Sequence, residues 1–133
     1  MNINELRERL DALFPQLVDE LSQLVAIPSV SSDPSHAADV DRSAEHIRSR
    51  FEALGLDAQI HSVTTPEGVQ GKPAILARSP HIEGAPTVLL YAHHDVQPTG
   101  DLARWHSDPW VTVVKGDRIY GRGTSDDGAG VIV

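Results

Sequence analysis

The feature that most constrains the fold of this chain is the stretch at residues 87–95, where an apolar run ends in two histidines and an aspartate. The run at 87–92 is apolar almost throughout, which is typical of a strand buried on both faces of a helix-covered sheet. It is followed directly by His93, His94 and Asp95. Open α/β sheets bind ligands at the carboxyl ends of their strands, so the stretch predicts a ligand site, and its imidazole and carboxylate groups favour a metal.

The rest of the chain predicts an α/β order of elements around that strand. Leucines recur every three or four residues in the first segment, which indicates an amphipathic helix with a kink or a break at Pro15. A second apolar stripe ends at Gly55, and strict alternation of apolar and polar residues then indicates a strand with one face in water. The predicted elements are helices at 2–27 and 40–54, strands at 56–63, 73–77 and 87–92, and a hairpin at 111–120.

Composition narrows the classes of function. The chain has 133 residues, enough for one modest core, and a formal net charge of -8, which disfavours binding to nucleic acid or to anionic membranes. It has no cysteine, so a metal must be held by His, Asp or Glu. No segment is long and apolar enough to span a bilayer, and Glu5, Arg7, Glu8 and Arg9 lie where a signal peptide needs apolar residues. We therefore expect a cytoplasmic protein.

Two segments, one with histidine and aspartate and one with two aspartates, are candidates for one metal site. His93 and Asp95 alternate along an extended chain, so their side chains point to the same side and His94 points away. Asp126 lies in a glycine-rich segment at 121–130 and could reach the same metal from a second strand end, bridging two cations with its two oxygens. Either motif alone is more often a hydrogen-bonded turn or a helix cap. Their combination favours a metal site, while a non-catalytic domain stays open as the alternative.

Taken in order along the chain, these motifs resemble the N-terminal part of the M20 metallopeptidases, a dizinc group of dipeptidases, carboxypeptidases, aminoacylases and desuccinylases. The sequence Asp-Val-Gln-Pro at 95–98 is similar to the carnosinase-like dipeptidase branch in particular. The resemblance extends over nearly the whole chain. The segments that carry it are 27–31, 93–98, 105–110, 120–123 and 126–127.

The resemblance implies a three-layer, zinc-exopeptidase-like catalytic domain with a mixed, largely buried sheet and flanking helices. Residues 1–133 would be its N-terminal portion, ending after the second metal-site motif, with the lid domain and the C-terminal half of the catalytic domain absent. His93 would ligate one zinc, Asp95 would be the catalytic-site residue that orients His93, and Asp126 would bridge two zincs, with Co or Mn as other metals. Asp127 would be a neighbour of the site, joined to Asp126 by a cis peptide bond.

The implied reaction is cleavage of dipeptide-like peptide bonds by metal-activated water, with a glutamate base supplied downstream. An aminoacylase acting on N-acyl amino acids is the alternative within the family, and a homodimer is compatible with either. The chain has Ala92 and Gly128 where the family usually has glycine and lysine, and neither position is a proposed ligand. We expect the isolated 133 residues to be inactive, with partial or no metal occupancy.

Overall fold

The computed structural model describes residues 2–133, and this part of the chain contains both helices and strands, as the sequence predicted. Its four strands form two separate antiparallel pairs, β1 with β2 and β3 with β4. A single mixed sheet is therefore not seen within residues 2–133. The elements are α1 Ile3–Val25, α2 Ala37–Ala53, β1 Asp57–His61, β2 Ala74–Arg78, β3 Val113–Lys115, β4 Arg118–Tyr120 and α3 Ala129–Ile132.

Helix α1 begins at a reciprocal cap, in which the Asn2 side chain accepts backbone N–H groups and Glu5 returns to the Asn2 backbone. Of the two alternatives predicted at Pro15, the break is wrong, because α1 continues through this residue as one helix, and the kink stays a prediction. Pro15 lies on the exposed half of the helix, where a carbonyl left without its N–H donor is open to water. Of the predicted leucine stripe, Leu21 and Leu24 are buried, whereas Leu6, Leu10 and Leu13 remain 45–50% exposed. Only the C-terminal half of α1 therefore packs against the core.

The main core lies between α2 and the β1–β2 pair. The Asp33 side chain caps the turn that precedes α2 by accepting the Ser35 N–H, and Gly55 follows the helix as predicted. Strand β1 pairs with β2 in the register Asp57↔Arg78 to His61↔Ala74. The buried side chains of this layer are Val40, Ser43, Ala44 and Ile47 from α2 and Ala58 from β1.

The predicted buried strand at 87–92 is wrong for this chain. These residues form neither helix nor strand, and Val88, Leu89, Leu90 and Tyr91 are 74–87% exposed. A strand is held by hydrogen bonds to a neighbouring strand. Within residues 2–133 no backbone hydrogen bond joins 87–92 to any other segment. Apolarity shows what a segment would bury, but the covering partner is not in this part of the chain.

The molecule exposes an unusual amount of surface for its size. Its accessible surface is 9665 Å². A compact monomer of this mass has about 6,800 Å². None of the helices within residues 2–133 has both the length and the apolar character needed to cross a membrane.

Candidate metal centre

His93 lies at the centre of the site and is bonded at three points. Its Nδ1 lies 3.0 Å from the Asp95 carbonyl oxygen and 3.2 Å from Asp95 Oδ1. Its Nε2 lies 3.0 Å from Asp126 Oδ1, and its backbone N–H donates to Asp127 Oδ2 at 3.2 Å. The structure thus brings together the three residues that the sequence singled out, His93, Asp95 and Asp126.

The serine-containing loop before α2 fixes the segment that carries these ligands. Ser29 is buried, and its hydroxyl donates to the His94 carbonyl at 2.8 Å while its own carbonyl accepts the Val96 N–H at 3.0 Å. The Ser31 hydroxyl donates to Asp95 Oδ2. The segment 94–96 is therefore held against residues more than sixty positions earlier in the chain.

His94 points away from the site, as the alternation predicted. Its Nδ1 lies 3.0 Å from the Ser43 hydroxyl of α2, and its Nε2 lies 3.2 Å from the Pro73 carbonyl just before β2. Because Ser43 is fully buried, His94 links the metal-site segment to the main core. Its role is structural.

Asp126 and Asp127 occupy an irregular turn at Thr124–Gly128 that leads into α3. The peptide bond between them is cis, which confirms the expectation drawn from the family resemblance. Their side chains diverge: the Asp126 carboxylate is 85% exposed and faces His93 Nε2, whereas Asp127 reaches the His93 backbone. Only Asp126 is thus available as a ligand from this pair.

The charges around His93 favour its protonated form when no cation is bound. Burial acts to lower the pKa of His93, but the Asp95 carbonyl and the carboxylates of Asp126 and Asp95 outweigh it and raise the pKa above the ordinary value. Burial likewise acts to raise the pKa of Asp95, yet the Ser31 hydroxyl and the His93 charge lower it overall. In the protonated form, Nε2–H would donate to Asp126 Oδ1, at the position that a cation would take.

The ligand atoms of His93 and Asp126 have the chemistry and the spacing that zinc requires of two ligands. Two ligands on one tetrahedral zinc lie about 3.3 Å apart, given metal–ligand distances near 2.0–2.1 Å. The separation of 3.0 Å between His93 Nε2 and Asp126 Oδ1 is close to this value. With Nδ1 donating to Asp95, the Nε2 lone pair is the one free for a metal. However, no group of three or more potential ligands occurs within residues 2–133, so the described residues would supply only part of a metal's coordination.

Gly128, at a position where the M20 metallopeptidases that the sequence resembles usually have lysine, lies in a tightly packed position. A Cβ at this residue would come within 2.7 Å of the Gly123 carbonyl oxygen and 3.0 Å of a Leu21 methyl group. In this backbone arrangement a side chain at 128 has no room. The contact also packs the turn that carries Asp126 against the buried end of α1.

Contacts of Arg122 join the segment after Asp95 to the segment before Asp126. The Arg122 guanidinium lies over the Trp105 ring, 5.1 Å from its centroid, and donates to the Pro98 carbonyl at 3.1 Å. The Arg122 backbone N–H donates to the Pro109 carbonyl at 2.7 Å.

An open cavity of about 480 Å³ lies beside residues 102–110, but none of the proposed ligands lines it.

Several residues of the site were not identified from the sequence. The sequence predicts a loop for Ser29 and Ser31, a helix for Ser43, a glycine-rich turn for Arg122 and a place beside the site for Asp127. The available signal is the serine-containing motif at 27–31, which carries part of the family resemblance but does not indicate a function for its hydroxyl groups. Their partners lie up to 65 residues away, so spacing alone could not pair them.

Comparison with known proteins agrees with this geometry. The family model described as peptidase family M20/M25/M40 matches residues 89–133. This range begins within the exposed apolar run and contains His93, Asp95 and Asp126. The matched part of the chain is therefore the part that carries the candidate metal centre.

Similar curated proteins and solved structures extend the likeness to nearly the whole chain. The cysteinylglycine-S-conjugate dipeptidase of Corynebacterium striatum is 33% identical over 99% of this chain, and the Cys-Gly metallodipeptidase dug1 of Schizosaccharomyces pombe is 33% identical over 96%. The solved structure of the di-peptidase Dug1p from Saccharomyces cerevisiae superposes with a TM-score of 0.82, and the crystal structure of human carnosine dipeptidase 1 superposes with a TM-score of 0.81. Each covers 94% of this chain at 28% identity. The chain spans only 26% and 28% of the two curated relatives and 28% of the human structure.

Proposed function

We propose, on the premise that residues 89–133 belong to peptidase family M20/M25/M40, that this chain is the N-terminal segment of a metal-dependent dipeptidase and carries half of its dinuclear site. The observation that carries the proposal is the contact of His93 with both Asp95 and Asp126. A histidine that donates one ring N–H to a carboxylate and directs its other nitrogen at a second carboxylate is the arrangement expected of a metal ligand.

The proposal gives each residue a separate role. His93 Nε2 would ligate one metal, and Asp126 would contribute an oxygen to each of two metals. Asp95 would hold the His93 ring by accepting a hydrogen bond from its Nδ1–H, and the Ser31 hydroxyl would hold Asp95 by donating to Oδ2. Zinc is the proposed metal, with Co or Mn as substitutes, because imidazole and carboxylate are ligands that zinc accepts.

In such a site the bound metal would activate water and polarise the scissile carbonyl. The residues of this chain would act by orientation. The Asp95–His93 contact fixes the tautomer and the ring plane, and Ser29 fixes the backbone that carries both side chains. The proton acceptor and the remaining ligands would come from residues outside this chain.

The exposed surface supports the proposal that the chain is part of a larger catalytic domain. The run at 88–91 is 74–87% exposed, and no other segment of residues 2–133 pairs with it. In the proposed domain this run would be a strand of a mixed, largely buried sheet within a three-layer fold, with residues 1–133 as its N-terminal portion. The cytoplasmic location and a possible dimer stay predictions.

The proposed substrates are dipeptides, since the curated relatives carry the names of Cys-Gly and cysteinylglycine-conjugate dipeptidases. The whole protein should be assayed with Cys-Gly, carnosine and N-acetyl amino acids, with zinc content measured in parallel. We expect hydrolysis of at least one dipeptide and none of the N-acyl compounds. Preference for the N-acyl compounds would identify an aminoacylase instead.

Matched variants test the assigned ligands. His93→Ala and Asp126→Asn should each lower kcat/KM by more than about 100-fold and reduce the zinc content, because each removes a donor to the metal. His61→Ala is the control, since His61 lies on the exposed face of β1. Unchanged zinc content in His93→Ala would contradict the proposal.

The isolated 133 residues provide an independent test. We expect sub-stoichiometric zinc and no turnover, because the described residues contain no group of three or more potential ligands. Robust, chelator-sensitive hydrolysis by this chain would overturn the view that it is half of a site.

A further inference from the structure

We propose that Asp127 is a positioning residue that fixes the distance between the two ligands His93 and Asp126, and that Gly130 is required because it makes room for the Asp127 carboxylate. The proposal rests on the assignment of His93 and Asp126 as metal ligands. It assigns a function to a residue that the sequence indicated only as a neighbour of the site.

The first observation is a closed ring of contacts. The Asp127 carboxylate accepts the His93 backbone N–H at 3.2 Å, and the preceding residue, Asp126, contacts His93 Nε2 at 3.0 Å. One dipeptide therefore holds His93 at its backbone and at its ring. Because Asp126 and Asp127 are covalently joined, their two contacts set where His93 lies relative to the Asp126 carboxylate.

The second observation is that His93 has little other support on its N-terminal side. Residues 87–92 make no hydrogen bond to any other segment within residues 2–133. On the C-terminal side, in contrast, Ser29 bonds to His94 and Val96. The Asp127 contact is thus the point at which the backbone becomes fixed as it enters the site.

The third observation concerns the space beside Asp127. A Cβ at Gly130 would lie 2.4 Å from Asp127 Oδ1, 2.9 Å from Cγ and 3.0 Å from Oδ2. Any larger residue at 130 would push the carboxylate away from its present position. The effect of a substitution at Gly130 should therefore reach His93 through Asp127.

The contact between Asp127 and the His93 backbone is tested by amide hydrogen exchange at His93 in the ¹⁵N-labelled whole protein. Asp127→Ala should speed exchange of this amide about tenfold, because one hydrogen bond of ordinary strength is lost. Asp127→Asn keeps an acceptor oxygen and should stay within about threefold of the parent. Asp117→Ala, which removes an exposed carboxylate from the β3–β4 turn, controls for the change in charge.

Gly130→Ala should accelerate exchange at His93 as Asp127→Ala does. In the Asp127→Ala background it should have no further effect, because the group that it displaces is already gone. If Gly130→Ala accelerates exchange at His93 equally in both backgrounds, Gly130 acts on α3 instead. That result would overturn this part of the proposal.

The positioning role is tested by zinc affinity in the whole protein. Asp127→Ala and Gly130→Ala should weaken zinc binding about 10–100-fold, with affinity restored in Asp127→Asn. Altered exchange with unchanged zinc affinity would overturn the positioning role while leaving the proposed function intact. Failure of the unsubstituted protein to bind zinc would overturn the proposed function, and the positioning role with it.

Discussion

His93 owes its orientation to hydrogen-bonding partners and very little to packing. The side chain is 38% exposed, and its partners are two acceptors at Asp95, one at Asp126 and one at Asp127. Exposed ion pairs contribute little to stability. These contacts therefore orient His93 but add little to the free energy of folding. Substitutions here should change metal binding more than they change the free energy of unfolding.

Ser31 offers a direct test of that view. Ser31→Ala removes a donor to Asp95 Oδ2, so we expect the pKa of Asp95 to rise towards its ordinary value, as measured by ¹³C NMR titration of the carboxyl group. Zinc affinity of the whole protein should fall about tenfold, since the partner that holds His93 is less well fixed. Ser32→Ala is the matched control, because Ser32 is exposed and adjacent. Equal effects of the two substitutions would count against the role given to Ser31.

His46 predicts a pH dependence of stability. Burial is the main cause that lowers the pKa of His46, with the charge of Arg50 adding to it, and its buried Nε2 has no hydrogen-bond partner among residues 2–133. The neutral form is thus favoured in the fold. Its contribution is present above the unfolded pKa of about 6.5 and is lost as pH falls through the lower folded pKa.

Urea unfolding of the chain at pH 7.5 and 5.5 measures this effect. His46→Gln should lose less stability on acidification than the parent, whereas His61→Gln, at an exposed position, should behave like the parent. The comparison must be between variants, because the raised pKa of His93 acts with the opposite sign in this range. Glu20 faces His46 but stays ionised, since its hydrogen bond from Arg50 lowers its pKa. Parallel curves for parent and His46→Gln would refute the assignment.

Helix α1 is amphipathic over its whole length but packs over only part of it. The leucine stripe is regular, yet Leu21 is 7% exposed and Leu10 is 50% exposed. Periodicity predicts which face of a helix is apolar, but it does not say how far along the helix that face is covered. The two ends of α1 differ in burial because the rest of the chain packs against the C-terminal end only.

The two leucines make a matched pair for measurement. Leu21→Ala should lower the free energy of unfolding by about 2–4 kcal/mol, because it leaves a cavity beside the turn at Gly128. Leu10→Ala should cost less than about 0.5 kcal/mol. Urea denaturation monitored by far-UV circular dichroism would give both values, and a similar cost for the two would contradict the burial pattern.

The run at 87–92 should behave as an unpaired segment. We expect its amides to exchange at least about 100-fold faster than those of β1, where ladder hydrogen bonds to β2 protect them. Two-dimensional NMR of the chain after transfer to D₂O measures both segments in one experiment. Protection of Leu89 and Leu90 equal to that of β1 would mean that they find a strand partner after all.

At the scale of the whole molecule, the small buried core limits stability. The accessible surface of 9665 Å² exceeds the roughly 6,800 Å² of a compact monomer of this mass. We expect a free energy of unfolding below about 5 kcal/mol for the isolated chain and a small urea m-value. A value above about 10 kcal/mol, measured by urea denaturation, would be inconsistent with this burial.

The sequence by itself determined the local features of this protein. A period of 3.6 residues predicted both long helices, a period of 2 predicted β1, and a short run after a Pro/Gly-containing turn predicted β2. Alternation also predicted that His93 and Asp95 share a side while His94 does not. Motif order also indicated Asp126 as the second ligand, and the structure brings its carboxylate to His93. The assignment of Asp126 rests on the family resemblance. Each of the other inferences depends on residues close together in the chain, whose relation is set by backbone geometry.

The tertiary structure decided the rest. The bonds from Ser29 to His94, from Ser31 to Asp95 and from Asp127 to His93 span 34 to 65 residues, and their partners become neighbours only through chain packing. It also decided that 87–92 lies exposed, although its composition favours a buried strand. Composition measures how much a segment gains by burial, whereas burial itself requires a partner surface, and only the three-dimensional arrangement shows whether one is there.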